Sequence, residues 1–465
     1  MSTLRKKYLG DRGFYRYVLG IVVPIMIQNG ITNFVSLLDN IMIGRLGTLQ
    51  MSSVSIANQF VFIFNLCVFG AVAGAGIFTA QFHGNNDQQG IRYTFRFKVA
   101  VCVILVAVAS TVFLLFGDKL INLYLLSAGN KPEENAASLN YGVRYLRVMI
   151  LGLLPFALCN SYAGTLRETE QTRVPMTAGI VAVFLNLVLN YILIFGHFGA
   201  PKMGVEGAAL ATVISRYVEL LIVALWVHTH SERNGYIKGV YSSLYIPGSL
   251  LKQIIIKGTP LLANEALWSS GMALLTQCYS QRGLSVVAAM NINSTIYHLC
   301  SVMYMSMGNA VGIIMGRLLG AGRSREEVVD TNRKLIALSV LSCLVCGGIL
   351  ILLSGVFPKI YNTTDEIRHM ATILICINGC FMGIHAYTNA AYFTLRSGGK
   401  TIVTFLFDSC FIWVCNVPLA YFLSVKTSMP IVPMYALCSS MDILKVIVGA
   451  VMIKQGKWIQ NLVKQ

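Results

Sequence analysis

The sequence predicts an all-α integral membrane protein with twelve transmembrane helices in two six-helix bundles. Composition is the first observation behind this: mean hydropathy is +0.66, 55% of residues are hydrophobic and 12% are charged. So little polar surface cannot coat a water-soluble particle of 465 residues, and most of the chain must face lipid. The second is that a dozen apolar stretches reach the roughly 20 residues a helix needs to cross about 30 Å of hydrocarbon. The third is an internal echo. Residues 76–84, Gly-Ile-Phe-Thr-Ala-Gln-Phe-His-Gly, return as Gly-Ile-Ile-Met-Gly-Arg-Leu-Leu-Gly at 312–320, offset by 236. Thr165-Leu166-Arg167 with Thr172 returns as Thr394-Leu395-Arg396 with Thr401, offset by 229. The chain is expected to be one six-span unit written twice, residues 1–235 and 236–465, an organisation typical of transporters.

Taken in order, the first half offers spans at about 17–43, 53–80, 99–125, 141–164, 174–196 and 205–229. The second half offers 254–280, 285–316, 334–357, 369–394, 401–424 and 430–454. Span 1 follows sixteen mixed residues, exceeds a signal core in length and lacks a small-residue cleavage site, so it is expected to be retained. Pro24, Pro155, Pro260 and Pro418 interrupt spans 1, 4, 7 and 11, where freed backbone groups can face a cavity. The twelve cysteines all fall in apolar spans without metal or redox spacing and read as small buried hydrophobes.

Basic residues set the orientation. With the N-terminus in the cytoplasm, Arg5, Lys6, Lys7, Arg12, Arg16, Arg92, Arg96, Lys98, Lys252, Lys257, Arg323, Arg325, Arg333, Lys334 and Lys400 fall in inner loops. The outer side holds few, such as Arg45, Lys202, Arg282 and Lys426. Both termini are then cytoplasmic. The formal charge of +17 is spread over alternate loops, which points to anionic lipid headgroups and away from nucleic acid. Six spans per half place both halves the same way up, related by an axis along the membrane normal across a central cleft.

An ionisable side chain in hydrocarbon costs about 2.5 to 3.5 kcal/mol on insertion scales, so those present are expected to face protein. Arg216 with Glu219, and Asp442 with Lys445, stand three residues apart and can neutralise each other within one helix. Asp39, Glu265 and Asp408 have no partner in their own span. Asp39 lies near the outer end of span 1, Asn186 and Asn190 one turn apart in span 5, and Thr212 about two turns into span 6. One carboxylate, two amides and a hydroxyl suit Na⁺, and Asp39 alone could take H⁺; interhelical hydrogen bonding is the plainer alternative. Glu265 and Asp408 form a candidate cation- or substrate-binding pair in the second half, or are held by neighbours such as Asn264 or Asn291.

The run Leu38-Asp39-Asn40-Ile41-Met42-Ile43-Gly44-Arg45-Leu46-Gly47, with Pro24, Asn186-x-x-x-Asn190 and Gly204 to Ser215 with Thr212, resembles the MATE family of multidrug and toxic compound extrusion transporters. The resemblance implies a V-shaped two-bundle fold and efflux of organic, often cationic, compounds in exchange for Na⁺ or H⁺ without a further cofactor. It carries Asp39, Asn186, Asn190 and Thr212 onto a first-lobe cation site and Pro24 onto a gating hinge. Glu265 matches an acidic position of one branch. That branch also expects an acidic residue in helix ten; span 10 offers none, His385 being the nearest ionisable group, and Asp408 lies in span 11. The expectation is a monomeric antiporter of the bacterial inner membrane. A flippase for a lipid-linked precursor is the alternative on a related fold, but the unpaired candidates are acidic, where a pyrophosphate site would be cationic. An enzyme is excluded by scattered histidines and the lack of any nucleophile or metal motif.

Overall fold

The computed structural model describes residues 8–126 and 132–464, so Arg5, Lys6 and Lys7 of the orientation argument lie outside the described residues. Twelve long helices follow one another. They are α1 (Arg12–Gly44), α2 (Thr48–Gly84), α3 (Gln88–Leu126), α4 (Pro132–Glu168), α5 (Arg173–Phe195) and α6 (Val205–Thr229). The second half carries α7 (Gly248–Ser280), α8 (Leu284–Gly320), α9 (Arg325–Leu353), α10 (Asp365–Ser397), α11 (Thr401–Lys426) and α12 (Ile431–Gln455). No strand occurs among the described residues. Every expected span is a helix, and most are longer because a helix does not stop where hydrocarbon ends. The largest difference is α3, which starts at Gln88 and takes Arg92, Arg96 and Lys98, expected in a loop, onto its first turns.

Eleven of these helices are long and apolar enough to cross a membrane. The exception, α7, carries Lys252, Lys257, Pro260, Asn264 and Glu265 along its first half. A second departure is in α11, where the ladder loosens into π-helical turns at Leu406–Cys410 and Ile412–Asn416. Such turns are rare and concentrate at functional positions. Asp408 sits within the first of them.

The chain divides into two compact units. One contains Met1–Met26, Ala80–Asp87 and Ile256–Gln465; the other contains Ile27–Thr79 and Gln88–Ile255. This partition and the expected break at 235/236 share their large blocks and differ over residues 1–26, 80–87 and 236–255. The partition crosses α1 two residues after the buried Pro24. The first unit packs Val18, Ile21 and Ile25 of α1 against Val311 and Ile314 of α8 and Trp458 of the C-terminal segment. The second packs Ile43, Val54 and Ala57 against Leu146, Ile194 and Ala208.

Within the first unit the echo residues meet each other. The end of α2 crosses the end of α8 with almost no side chain between them: a Cβ on Gly84 would fall 2.0 Å from the Arg317 carbonyl oxygen, and one on Gly320 1.9 Å from the Gln81 carbonyl oxygen. Gly316 faces Ala80 in the same way. These glycines are helical, and they form a small-residue crossing that lets two backbones touch. Gln81 adds hydrogen bonds to the Ser397 carbonyl (2.9 Å) and from Leu462 N–H (2.7 Å), binding the C-terminal segment to the same end. Gly320→Ala is therefore expected to lose about 1–3 kcal/mol, as overpacking against fixed backbone does. Gly348→Ala, with nothing within 4 Å, is expected to be neutral or stabilising. Thermal unfolding of both variants in detergent checks the contrast.

The cysteines are all free. Cys102, Cys159, Cys278, Cys343 and Cys438 are buried as expected, whereas Cys380 is exposed and the rest are intermediate.

Candidate functional site

The C-terminal halves of α1 and α5 and the start of α6 bring four polar side chains together in the second unit. Asn186 and Asn190 share one face of α5, because residues four apart stack one turn above another. That face is buried: Asn190 is 1% exposed and Asn186 7%. Asn190 Nδ2 donates to Asp39 Oδ1 at 2.7 Å across to α1. One amide atom of Asn186 lies 3.0 and 3.2 Å from the two Asp39 oxygens, a spacing that calls for nitrogen there. Its oxygen then accepts from Thr212 Oγ1 at 3.3 Å. All four residues singled out in the first half thus form one constellation.

Its electrostatics favour a cation. Asp39 supplies the single formal charge, while Arg216, one turn beyond Thr212 on α6, is engaged by Glu219 at 2.8 Å as their spacing predicts. Arg216 also stacks over Phe156, 5.4 Å from its centroid. The buried oxygen Asn190 Oδ1 has no hydrogen-bond partner. Buried amide oxygens are almost always satisfied, so this one is a vacant acceptor beside a carboxylate. Among the described residues no group of three or more His, Cys, Asp or Glu could hold a metal. The amides of Asn186 and Asn190 now turn their nitrogens to Asp39, so an ion bound to the carboxylate would gain their oxygens only if they rotate; the donor types, one carboxylate, amides and a hydroxyl, are those of a hard cation and not of a transition metal.

The second-half candidates lie in the first unit and do not form a simple acidic pair. Asp408 is held from two sides, by Asn264 Nδ2 (3.2 Å) on α7 and by Lys445 Nζ (3.4 Å) on α12. Lys445 pairs with Asp442 at 3.9 Å as their spacing predicts, and it reaches Asp408 more closely. His385 Nδ1 lies 3.4 Å from Asp442 Oδ2 on the other side. Helical spacing within α12 permits the Asp442–Lys445 pair, yet the packing of α10 and α11 offers each residue a closer partner. Glu265 is half-buried and experiences the charges of Arg396 and Asp408.

Sequence reasoning missed one cluster altogether. Lys98, assigned to an inner loop, is fully buried; its Nζ donates to Thr165 Oγ1 at 3.0 Å and forms an ion pair with Glu168. The signal was the Thr-Leu-Arg turn itself, which is followed by Glu168 in the first copy only. Arg96 is also buried, donating to the carbonyls of Val240 (2.8 Å), Gly239 (3.0 Å) and Tyr245 (3.0 Å). It fastens the segment after α6.

Comparison with known proteins places these features in a family. The MatE family model matches residues 24–192 and 260–422, well over half of the chain. The chain belongs to the MatE family. The two matched stretches begin at 24 and 260, the same spacing of 236 that separates the echo at 76–84 from that at 312–320. MatE proteins are transporters, so this multi-pass membrane protein is a transporter and not an enzyme. Among curated relatives, the probable multidrug resistance protein NorM of Thermotoga maritima is 25% identical, covering 87% of this chain and 84% of its own. The multidrug resistance protein PmpM of Pseudomonas aeruginosa is 25% identical over 89% of this chain and 85% of its own. Among solved structures, an outward-facing multidrug resistance MATE family transporter superposes with TM-score 0.83 at 19% identity, over 97% of both chains. A MOP superfamily transporter from Pyrococcus furiosus, described as having a binding pocket of reversed polarity, gives 0.82 at 19% identity, again over 97% of each. Both likenesses show that this chain has the fold of those transporters.

Proposed function

We propose that this MatE protein is a cation-coupled antiporter that exports organic, cationic or amphipathic compounds by alternating access across the bacterial inner membrane. It works as a monomer of two six-helix lobes, 1–235 and 236–465, with both termini cytoplasmic. The multidrug names of its relatives support the substrate class. The observation that carries the coupling is the Asp39 carboxylate enclosed by the buried amides of Asn186 and Asn190, with the Asn190 Oδ1 acceptor left without a partner. A cation arriving from outside occupies Asp39, Asn186, Asn190 and Thr212. We take Na⁺ as the coupling ion, its binding turning the amide oxygens of Asn186 and Asn190, whose nitrogens now face Asp39, toward the ion.

Binding draws Asp39 of α1 toward α5, and α1 can yield at Pro24, where the helical hydrogen bond to residue 20 is missing. Substrate and cation then oppose each other, and the cation's effect on substrate affinity equals the substrate's effect on cation affinity. Glu265 and Asp408 contribute acidic groups for a cationic substrate in the second lobe. Reconstituted protein with Na⁺ and pH gradients imposed separately tests the reading. Dye export is expected to follow an inward Na⁺ gradient at least about tenfold faster than without it. Export driven by a pH gradient alone would assign Asp39 to H⁺, and export driven by neither would overturn coupling.

A further inference from the structure

The C-terminal segment 456–464 takes no part in the constellation around Asp39, and it is built in two unlike halves. The first is an apolar anchor. Trp458 is 1% exposed, packs in the core with Val18 of α1, Ile314 of α8 and Leu395 of α10, and donates from Nε1 to the Ile453 carbonyl at 3.1 Å. Its own carbonyl sits so close to the turn after α10 that a Cβ on Gly398 would strike it. The second half is held by polar groups. Gln81, near the end of α2, is fully buried; its Oε1 accepts from Leu462 N–H at 2.7 Å, and its Nε2 donates to the carbonyls of Gln460 (3.2 Å) and Ser397 (2.9 Å). Asn461 Nδ2 donates to the Gly320 carbonyl at 3.1 Å. The Asn461 Oδ1 accepts from the N–H groups of Val463 and Lys464 at 3.0 and 3.1 Å, a local turn that fixes which way the amide points.

What this second half grips is the crossing of Gly84 and Gly320. Residues 80–87 are assigned to the first unit, although the chain on both sides of them, 27–79 and 88–255, is assigned to the second. They are therefore where a shift of either unit has to pull on the first unit's packing. The crossing resists that pull by dispersion between close backbones, which loses a quarter to a half of its attraction over a gap of about 1 Å. The hydrogen bonds of Gln81 and Asn461 span the same joint, and water can replace each of them once the joint opens. Trp458 has no such substitute, since leaving the core would expose its ring. We propose that residues 456–464 are a releasable latch: Trp458 keeps the segment seated on α8 and α10, while Gln81 lets go of Gln460, Leu462 and Ser397 when the end of α2 leaves α8. On the alternating-access reading above, on which this rests, release accompanies opening toward the cytoplasm and reseating accompanies opening to the outside. The polar half of the segment is the part that cycles; the anchor keeps it in place to close again.

The test is a spin-label distance measurement on the detergent-solubilised full chain, with labels carried by unnatural amino acids at Asn85 and Lys457, both exposed. Lys457 adjoins the anchor and Asn85 follows the end of α2, so release lengthens the distance between them. The wild type is expected to show a short and a long population. Asn461→Ala removes the bond to Gly320 and is expected to raise the long-to-short ratio at least about threefold. Gln81→Ala removes the bonds to Gln460, Leu462 and Ser397 and is expected to raise it further. A segment with a merely structural role would give one unchanged population in all three proteins, and that result overturns the proposal; so does a ratio that neither substitution moves in monodisperse samples. If Gln81→Ala does not fold, Asn461→Ala decides alone. The distances are read without transport, so a lack of gradient-driven export would refute the antiporter reading and leave this measurement intact.

Discussion

Asp39→Asn is expected to abolish gradient-driven export while leaving a folded protein. The substitution keeps the shape of the side chain, and an amide oxygen at the same place still accepts from Asn190 Nδ2, now 2.7 Å from Asp39 Oδ1. Only the charge goes. A monovalent cation about 4 Å from a carboxylate gains about 4 kcal/mol at an effective dielectric constant near 20. The remaining ligands, Asn186, Asn190 and Thr212, are neutral dipoles that cannot replace it. At about 1.4 kcal/mol per factor of ten, cation affinity should fall at least a hundredfold, and coupling with it. Everted vesicles loaded by an imposed gradient and read with a fluorescent cationic dye supply the measurement. Undiminished gradient-driven export by Asp39→Asn would remove Asp39 from the mechanism. Asn190→Ala should lie between the two, because it deletes the vacant Oδ1 acceptor and the donor to Asp39 but no charge.

The contrast between the two halves explains how far the sequence could be read. Helix number and order were legible because hydrocarbon imposes a length, and apolar runs of that length leave little freedom of assignment. The Asp39 constellation was legible although Asp39 lies 151 residues from Asn190, because Asn186 and Asn190 declare a shared face by spacing alone and an unpaired carboxylate in a span demands polar partners. The second-half network was not. Asp442 and Lys445 obey the same spacing rule, yet Lys445 stands closer to Asp408 and Asp442 to His385. That choice depends on how α10, α11 and α12 are rotated about their axes, and on π-helical turns in α11 that change which face Asp408 presents. Local spacing lists permitted partners; tertiary packing chooses among them. Lys98 failed for a related reason, since a lysine before an apolar run reads as a loop charge unless its distant carboxylate is known.

That carboxylate makes the second large effect, and it should be asymmetric. Lys98 is fully buried and its ammonium depends on Glu168 and Thr165, whereas Glu168 keeps 15% of its side chain exposed. Removing one member of a buried pair costs about 3–5 kcal/mol because the other charge is stranded, and the cost grows with the burial of what remains. Glu168→Gln strands the fully buried ammonium and should therefore destabilise more than Lys98→Met, which strands a carboxylate within reach of water. The double variant strands neither and should recover most of the loss, a coupling between neighbours that additivity forbids. Unfolding midpoints and the monodisperse fraction in detergent give the four corners of this cycle; additive losses would mean that the pair does not hold α3 to α4. The duplication supplies an internal comparison. Lys334, 236 residues after Lys98, pairs with Asp330 on its own helix at 2.6 Å and keeps 22% of its side chain exposed. Ser397 stands 229 residues after Glu168, and Gly312 faces the Phe393 ring where Gly76 faces the Glu168 carboxylate. Neutralising Lys334 and Asp330 should thus cost no more than an exposed helical pair, about 0.3–0.5 kcal/mol, although the backbone frame is the same.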